Sequence, residues 1–180
     1  MIAFAMSLPS PFDPDADPVP AHPLDVAGEP VRPEWIDYNG HMNLAYYVLA
    51  FDHATDRFLD LLDLGHAYMQ RSNHSSFVLE THVTYAQEVK LGDPMRFTLQ
   101  LLDADEKRLH YYFEMFHGVD GYLAAASELI SMHVDLGTRR SAPIPELALR
   151  RIAAIQTAHR DLPRPAQAGR LIGIRRPKTG

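Results

Sequence analysis

The sequence contains no cysteine. Disulfides, thiolate metal sites and a cysteine nucleophile are therefore excluded, and a reducing, cytoplasmic setting is expected. Positive charge is also scarce. Lys and Arg number 17 against 23 Asp and Glu, for a formal net charge of −6. Nothing in that balance supports binding to nucleic acid. No apolar run approaches the roughly 20 residues that a membrane-spanning helix needs. The N-terminus lacks the basic start and long apolar core of a signal peptide. The ten histidines form neither an HExxH signature nor an HxxxH helical pair, so no metal and no cofactor is expected.

What remains is ordinary globular material. The 180 residues, 46% apolar and 22% charged, suit one domain that buries roughly 70% of its unfolded surface. Proline is unevenly placed. Pro9, Pro11, Pro14, Pro18, Pro20, Pro23 and Pro30 rule out a sustained helix or a central strand over residues 1–29. That stretch reads as a flexible or surface-wrapped arm. Residues 30–160 read as the folded domain, and 161–180 as a loose, basic tail.

Within the domain, a short strand is expected over about Pro30 to Ile36. A long helix follows from about Asn43 to Leu62, with Tyr47, Val48, Phe51, Phe58, Leu59 and Leu62 on one face. Gly65 reads as its stop, and residues 66–75 as a loop. The period then falls to two. Phe77 to Tyr85, Met95 to Leu101, Leu109 to Met115 and Tyr122 to Leu136 alternate as strands joined by short turns, which predicts an antiparallel sheet. Glu146 to His159 reads as a final amphipathic helix. The class is α+β: about five strands and one long helix that must cover a face of the sheet.

The densest polar cluster, Asp37-Tyr38-Asn39-Gly40-His41-Met42-Asn43, sits just ahead of the long helix. Asn43 suits the helix N-cap. Gly40 permits a sharp turn or the close approach of a ligand. Asp37, Asn39 and His41 together exceed what a turn requires. The loop reads as an active site facing the positive end of the helix.

These residues resemble the hotdog-fold acyl-CoA thioesterases over about residues 30–160. Asp37, Asn39, His41 and Asn43, with Tyr47 beyond, look like the D-x-N-x-H-x-N…Y motif of acyl-carrier-protein thioesterases. Asp37, Gly40 and Tyr47 also match the D-x-x-G type of 4-hydroxybenzoyl-CoA thioesterases. Glu80-Thr81-His82, Ala104 to His110, His133-Val134-Asp135 and Leu162-Pro163-Arg164-Pro165 further resemble the betainyl-CoA thioesterase domain fused to some carnitine dehydrogenases.

The resemblance implies a curved sheet wrapped around the long helix, and a homodimer, with a tetramer as the alternative, and sites between subunits. It implies hydrolysis of a small or medium acyl-CoA ester, with betainyl-CoA as a named option. Coenzyme A would enter only as part of the substrate. Asp37 would act as general base or as nucleophile, with Asn39 and His41 as its catalytic companions. Amides of Gly40 to Asn43, Met42 included, would receive the oxyanion. Tyr47 and Glu88 would line the substrate site. Lys107, Arg108, Arg139 and Arg140 are the candidates for the phosphates of coenzyme A. A hotdog enoyl-CoA hydratase and a non-catalytic acyl-CoA-binding module are the alternatives.

Overall fold

A computed structural model describes residues 11–19 and 23–174. At its centre is helix α1, Leu44–Leu62. The Asn43 side-chain oxygen accepts from the Ala45 N–H at 3.0 Å, pairing one of the first-turn amides that a helix leaves open. Asp63, at φ 63°, ends the helix. Gly65, read as the stop, instead opens helix α2, His66–Ser72, within the expected loop. A Cβ there would fall 1.9 Å from the Asp60 carboxylate, so any other residue would have to displace that side chain.

The sheet comprises β1 (Leu24–Val26), β2 (His74–Tyr85), β3 (Met95–Ala104), β4 (Arg108–His117), β5 (Leu123–Asp135) and β6 (Arg140–Ser141). Its order is β1-β3-β4-β5-β2, with β6 alongside β5, and every pairing is antiparallel. Helix α1 lies on the inner face. Phe51 meets Phe97 and Phe113, and Phe58 meets Tyr111, with ring centroids 5.5–6.0 Å apart. Burying a side chain of this size contributes about 2–3 kcal/mol. Helix α3, Glu146–His159, closes the core with Ile152 and Ile155. It also covers part of β3, where His159 Nδ1 accepts from the Leu101 N–H. The α+β hotdog expectation holds, with six strands rather than about five.

Several local expectations need correction. Residues 30–36 form a 3-10 turn, Pro33–Trp35, flanked by single bridges Pro30↔Pro94 and Ile36↔Met42, not a strand. Pro30 and Pro33 cannot donate to a ladder. The expected arm contains β1, an edge strand, and Phe12, which is buried in the core. The Phe12 carbonyl accepts from Arg151 Nε at 2.7 Å. The described part of the tail folds back on the sheet, where the Gly169 N–H donates to the Glu128 carboxylate at 2.6 Å. Tail residues 169–172 there roof a cavity of about 530 Å3 on the face turned away from α1, with Glu80, His82 and His110 in its walls. Residues 1–10 and 20–22 of the arm, and 175–180 of the tail, lie outside the described residues.

Two features of this frame position the site. The loop of residues 36–43 is pinned between Trp35 and the start of α1. Strand β2 is an open edge with Phe77, Val78 and Leu79 exposed. No described helix is long and apolar enough to cross a membrane.

Candidate active site

The loop closes on itself. The Asp37 N–H donates to the His41 carbonyl at 3.1 Å, and the Gly40 N–H to the Asp37 carbonyl at 3.0 Å. Gly40 has φ +82°, which side-chain-bearing residues rarely adopt, and open space where a Cβ would stand. Below the loop, the Trp35 carbonyl accepts from the Asn43 N–H at 2.9 Å. Trp35 is buried and stacked on Tyr46. The Asp37 carboxylate, half-buried, is held by two donors: the Asn39 N–H at 2.8 Å on Oδ1, and Asn43 Nδ2 at 3.4 Å on Oδ2.

A cleft of about 410 Å3 opens over this carboxylate. Asp37, Tyr38, Asn39, His41, Met42, Asn43, Leu44 and Tyr47 form one wall, and Tyr85, Ala86, Gln87 and Glu88 the other. The second wall is the run leaving β2. It is tied down where the Glu88 carbonyl accepts from the Tyr122 hydroxyl at 2.9 Å. Tyr47 and Tyr85 meet edge to face, with centroids 5.2 Å apart. The Tyr47 oxygen accepts from the Val89 N–H, and burial pushes the Tyr47 phenol up, so it stays protonated. Glu88 faces His41 at 3.8 Å and Lys90 at 3.6 Å. Among the described residues, no group of three or more His, Asp or Glu is placed to hold a metal ion.

Seven of the residues singled out in the sequence thus meet in one cleft: Asp37, Asn39, His41, Met42, Asn43, Tyr47 and Glu88. Gly40 shapes the turn between them. The amides do not fall as expected. Those of Gly40, Met42 and Asn43 already donate to the carbonyls of Asp37, Val89 and Trp35. The Met42 side chain is buried in the core. Among the described residues, the N–H groups of His41 and Leu44 meet no protein acceptor. Gln87 was not anticipated in the site, and Tyr85 was expected only as one of the aromatic rings around the loop, with packing as its main role. They arrive from a strand that only the fold brings to the loop, although the tyrosine's place in the alternating run was a usable signal.

The four basic candidates lie elsewhere in the protomer. Arg108 is engaged by Asp105 through Nε at 2.8 Å and a terminal nitrogen at 2.6 Å. Its partner's carboxyl is held down to about 2, chiefly by that hydrogen bond. Lys107 pairs with Glu106 at 3.3 Å. Arg139 covers the Phe77 ring, at the opposite end of β2 from Tyr85. Eight residues of strand make that separation roughly 26 Å.

Comparison with known proteins accounts for the arrangement. A family profile described as the thioesterase-like superfamily matches residues 31–152. A betainyl-CoA thioesterase of Pseudomonas aeruginosa is 42% identical over 145 residues, which cover 81% of this chain and 91% of that protein. A carnitine dehydrogenase/betainyl-CoA thioesterase of Rhizobium meliloti is 34% identical over 154 residues, 86% of this chain but 31% of that longer protein. A Staphylococcus aureus protein solved in complex with CoA superposes with a TM-score of 0.78 at 33% identity, covering 83% of this chain and 94% of that one. With a carboxylate at the mouth of the central helix and a hotdog frame behind it, the chain belongs to the thioesterase-like superfamily and is an acyl-CoA thioesterase.

Proposed function

We propose that the chain hydrolyses a small acyl-CoA ester, betainyl-CoA foremost, to the free acid and coenzyme A, with Asp37 as general base. One observation carries this reading: the loop holds the Asp37 carboxylate by hydrogen bonds in a cleft also lined by His41 and Leu44, whose N–H groups meet no protein acceptor among the described residues. The similarity to the P. aeruginosa enzyme over nearly its whole length supports the acyl group.

In the proposed reaction Asp37 takes a proton from a water held in the cleft. The resulting hydroxide adds to the thioester carbon, and the carbonyl oxygen becomes an oxyanion. The Leu44 N–H group, at the positive end of α1, and the His41 N–H group, in the loop that precedes it, receive that charge. The carbon–sulfur bond then breaks, and the departing thiolate takes up the proton. Asn39 and Asn43 orient the Asp37 carboxylate, and His41 keeps Glu88 near the rim. We favour the base over the nucleophile because both oxygens of Asp37 accept hydrogen bonds from the loop. Such bonds fix both oxygens in place, where a water can be held against one of them but the carboxylate has little freedom to reach the thioester carbon itself. A cysteine-free chain that releases a thiol fits the reducing cytoplasm.

The functional unit we propose is a homodimer joined along β2. Its open edge carries exposed Phe77, Val78 and Leu79, and an uncovered apolar edge of this kind invites pairing. Antiparallel pairing of two β2 strands sets the start of one beside the end of the other. The Arg139–Arg140 end of one copy then approaches the Asp37 cleft of its mate, where the phosphates of coenzyme A need cations.

The test is thiol release from a panel of acyl-CoA esters that includes betainyl-CoA. Turnover of betainyl-CoA at a kcat/KM at or above that of straight-chain esters is expected. Turnover of the others without betainyl-CoA would remove that substrate, and release from none would remove hydrolysis.

A further inference from the structure

We infer that this cleft selects an acyl group bearing a quaternary ammonium next to the thioester carbonyl, and that Glu88 and Tyr85 make the selection. The inference rests on the thioesterase reading above.

The sequence crowds six aromatic rings around the loop, and the fold sorts them. Trp35 and Tyr46 stack beneath it. Tyr68 is buried on helix α2, hydrogen-bonded to His133. Tyr38, Tyr47 and Tyr85 line the cleft. Tyr85 is 50% exposed, yet held at two points: its ring against Tyr47, and its hydroxyl donating to the Leu44 carbonyl at 3.3 Å. An aromatic surface fixed in this way is available to a cation.

The charges point in the same direction. The cleft walls hold two carboxylates, Asp37 and Glu88, and neither a lysine nor an arginine. The contacts of Glu88 with His41 and Lys90 both exceed hydrogen-bond length. The backbone of Glu88 is anchored by Tyr122, while its carboxylate makes only loose ion-pair contacts, to Lys90 and His41. A primary ammonium would need acceptors arranged around three N–H donors. A quaternary one has no donors and needs only negative charge and π-faces, which is what these walls offer. In a betainyl ester a single methylene separates the cation from the reacting carbonyl. Whatever recognises the cation must therefore share a cleft with whatever attacks the carbonyl, as Glu88 and Asp37 do.

The experiment compares betainyl-CoA with 3,3-dimethylbutyryl-CoA, the same shape with carbon in place of nitrogen. The positive charge also activates the carbonyl, so the readout is the change in preference between enzymes, not the preference itself. In Glu88→Gln the ratio of kcat/KM for the two esters should fall about tenfold, the size of one desolvated charge contact. Tyr85→Leu should lower it about fivefold, whereas Tyr85→Phe, which keeps the ring, should hold it within about twofold. Product inhibition gives a second measurement on the wild type: glycine betaine should inhibit more strongly than 3,3-dimethylbutyrate. A ratio unmoved by both Glu88→Gln and Tyr85→Leu, or stronger inhibition by the neutral acid, overturns the inference while leaving hydrolysis intact. Release of thiol from neither these esters nor any other overturns the thioesterase reading itself.

Discussion

Two polar clusters flank Trp35, and they differ in how completely their bonding capacity is used. On one side Glu29, 9% exposed, receives Arg32 and His53 at 2.5 Å each, and the Arg32 guanidinium lies 5.0 Å over the Trp35 ring. Burial alone would raise the Glu29 carboxyl. The hydrogen bonds from His53 and Arg32 outweigh it and hold that group below its ordinary range. On the other side, Asp37 and Glu88 line an open cleft, with contacts of 3.4, 3.6 and 3.8 Å among those they make. The saturated cluster fixes the 3-10 turn that feeds the loop. The unsaturated one retains capacity for a ligand. Polarity alone does not mark a site in this molecule; polarity left without full partners does.

Replacing Asp37 by Asn should produce the largest effect. Asn keeps an acceptor for the Asn39 N–H and so keeps the turn, but it cannot take a proton from water. The expected loss in kcat is about a thousandfold, within the range of general-base contributions, with a melting temperature close to wild type. Turnover within a few-fold of wild type would remove Asp37 from the chemistry. Single-turnover hydrolysis in heavy-oxygen water adds detail. Label recovered in Asp37 would show a mixed anhydride opened by water at the Asp37 carboxyl carbon, whereas a base mechanism labels only the released acid.

The next largest effect tests the same contrast on the scale of the sheet, because the β2 edge is also uncommitted. Phe77→Lys with Leu79→Lys puts like charges on that edge and should yield monomers by sedimentation. Activity should fall at least about tenfold if a cleft without its mate loses the cations for coenzyme A. A fully active monomer would break the link between edge and site.

The two clusters were not equally legible in the sequence. The loop was legible because its signals are local. Asn43 stands one residue before an apolar 3.6-residue period, and Asp37 and Gly40 fit a tight turn. Glu88 entered through family resemblance alone, since 51 positions separate it from Asp37 and no local rule joins them. The Glu29 cluster went unseen for the same reason: His53 lies on the helix and Glu29 in a stretch dominated by prolines. Strand β1 has three residues between Pro23 and Gly28, too few for a period. The basic candidates were chosen by residue type. Their distance from the loop is a property of the sheet, not of the turns that carry them.

For the saturated cluster the prediction concerns stability. Glu29→Gln leaves Arg32 and His53 without their anion. Both are partly exposed, so the cost should be about 1–2 kcal/mol, less than for a fully buried pair. The folded-state pKa of Glu29 lies below its ordinary 4.5. Its contribution is therefore fully present above that pH and fades as pH falls beneath it. Unfolding midpoints of wild type and Glu29→Gln should differ at neutral pH and converge in acid. A constant gap across that range would mean that the carboxylate is not what stabilises the turn.

Asn43 belongs to both sides of the comparison, and changing it has the smallest and most selective effect expected. Its N–H holds the Trp35 carbonyl, its side-chain oxygen caps α1, and its side-chain nitrogen reaches Asp37. Asn43→Asp preserves the cap, because Asp and Asn are equivalent there and a negative charge suits a helix N-terminus. The cap's contribution should therefore change by less than about 0.5 kcal/mol, so any larger loss at neutral pH reports the new like charge and should fade in acid. The same substitution replaces a donor to Asp37 with a second carboxylate 3.4 Å away. A neighbouring like charge raises a carboxyl pKa, so the acid limb of the kcat/KM profile should move to higher pH. Asn43→Ala instead removes the cap and should cost about 1 kcal/mol. Without adding a charge beside Asp37, it should shift that limb less. Matching pH profiles for the two variants would show that Asn43 serves the helix alone, and that the Asp37 carboxylate is positioned by its own turn.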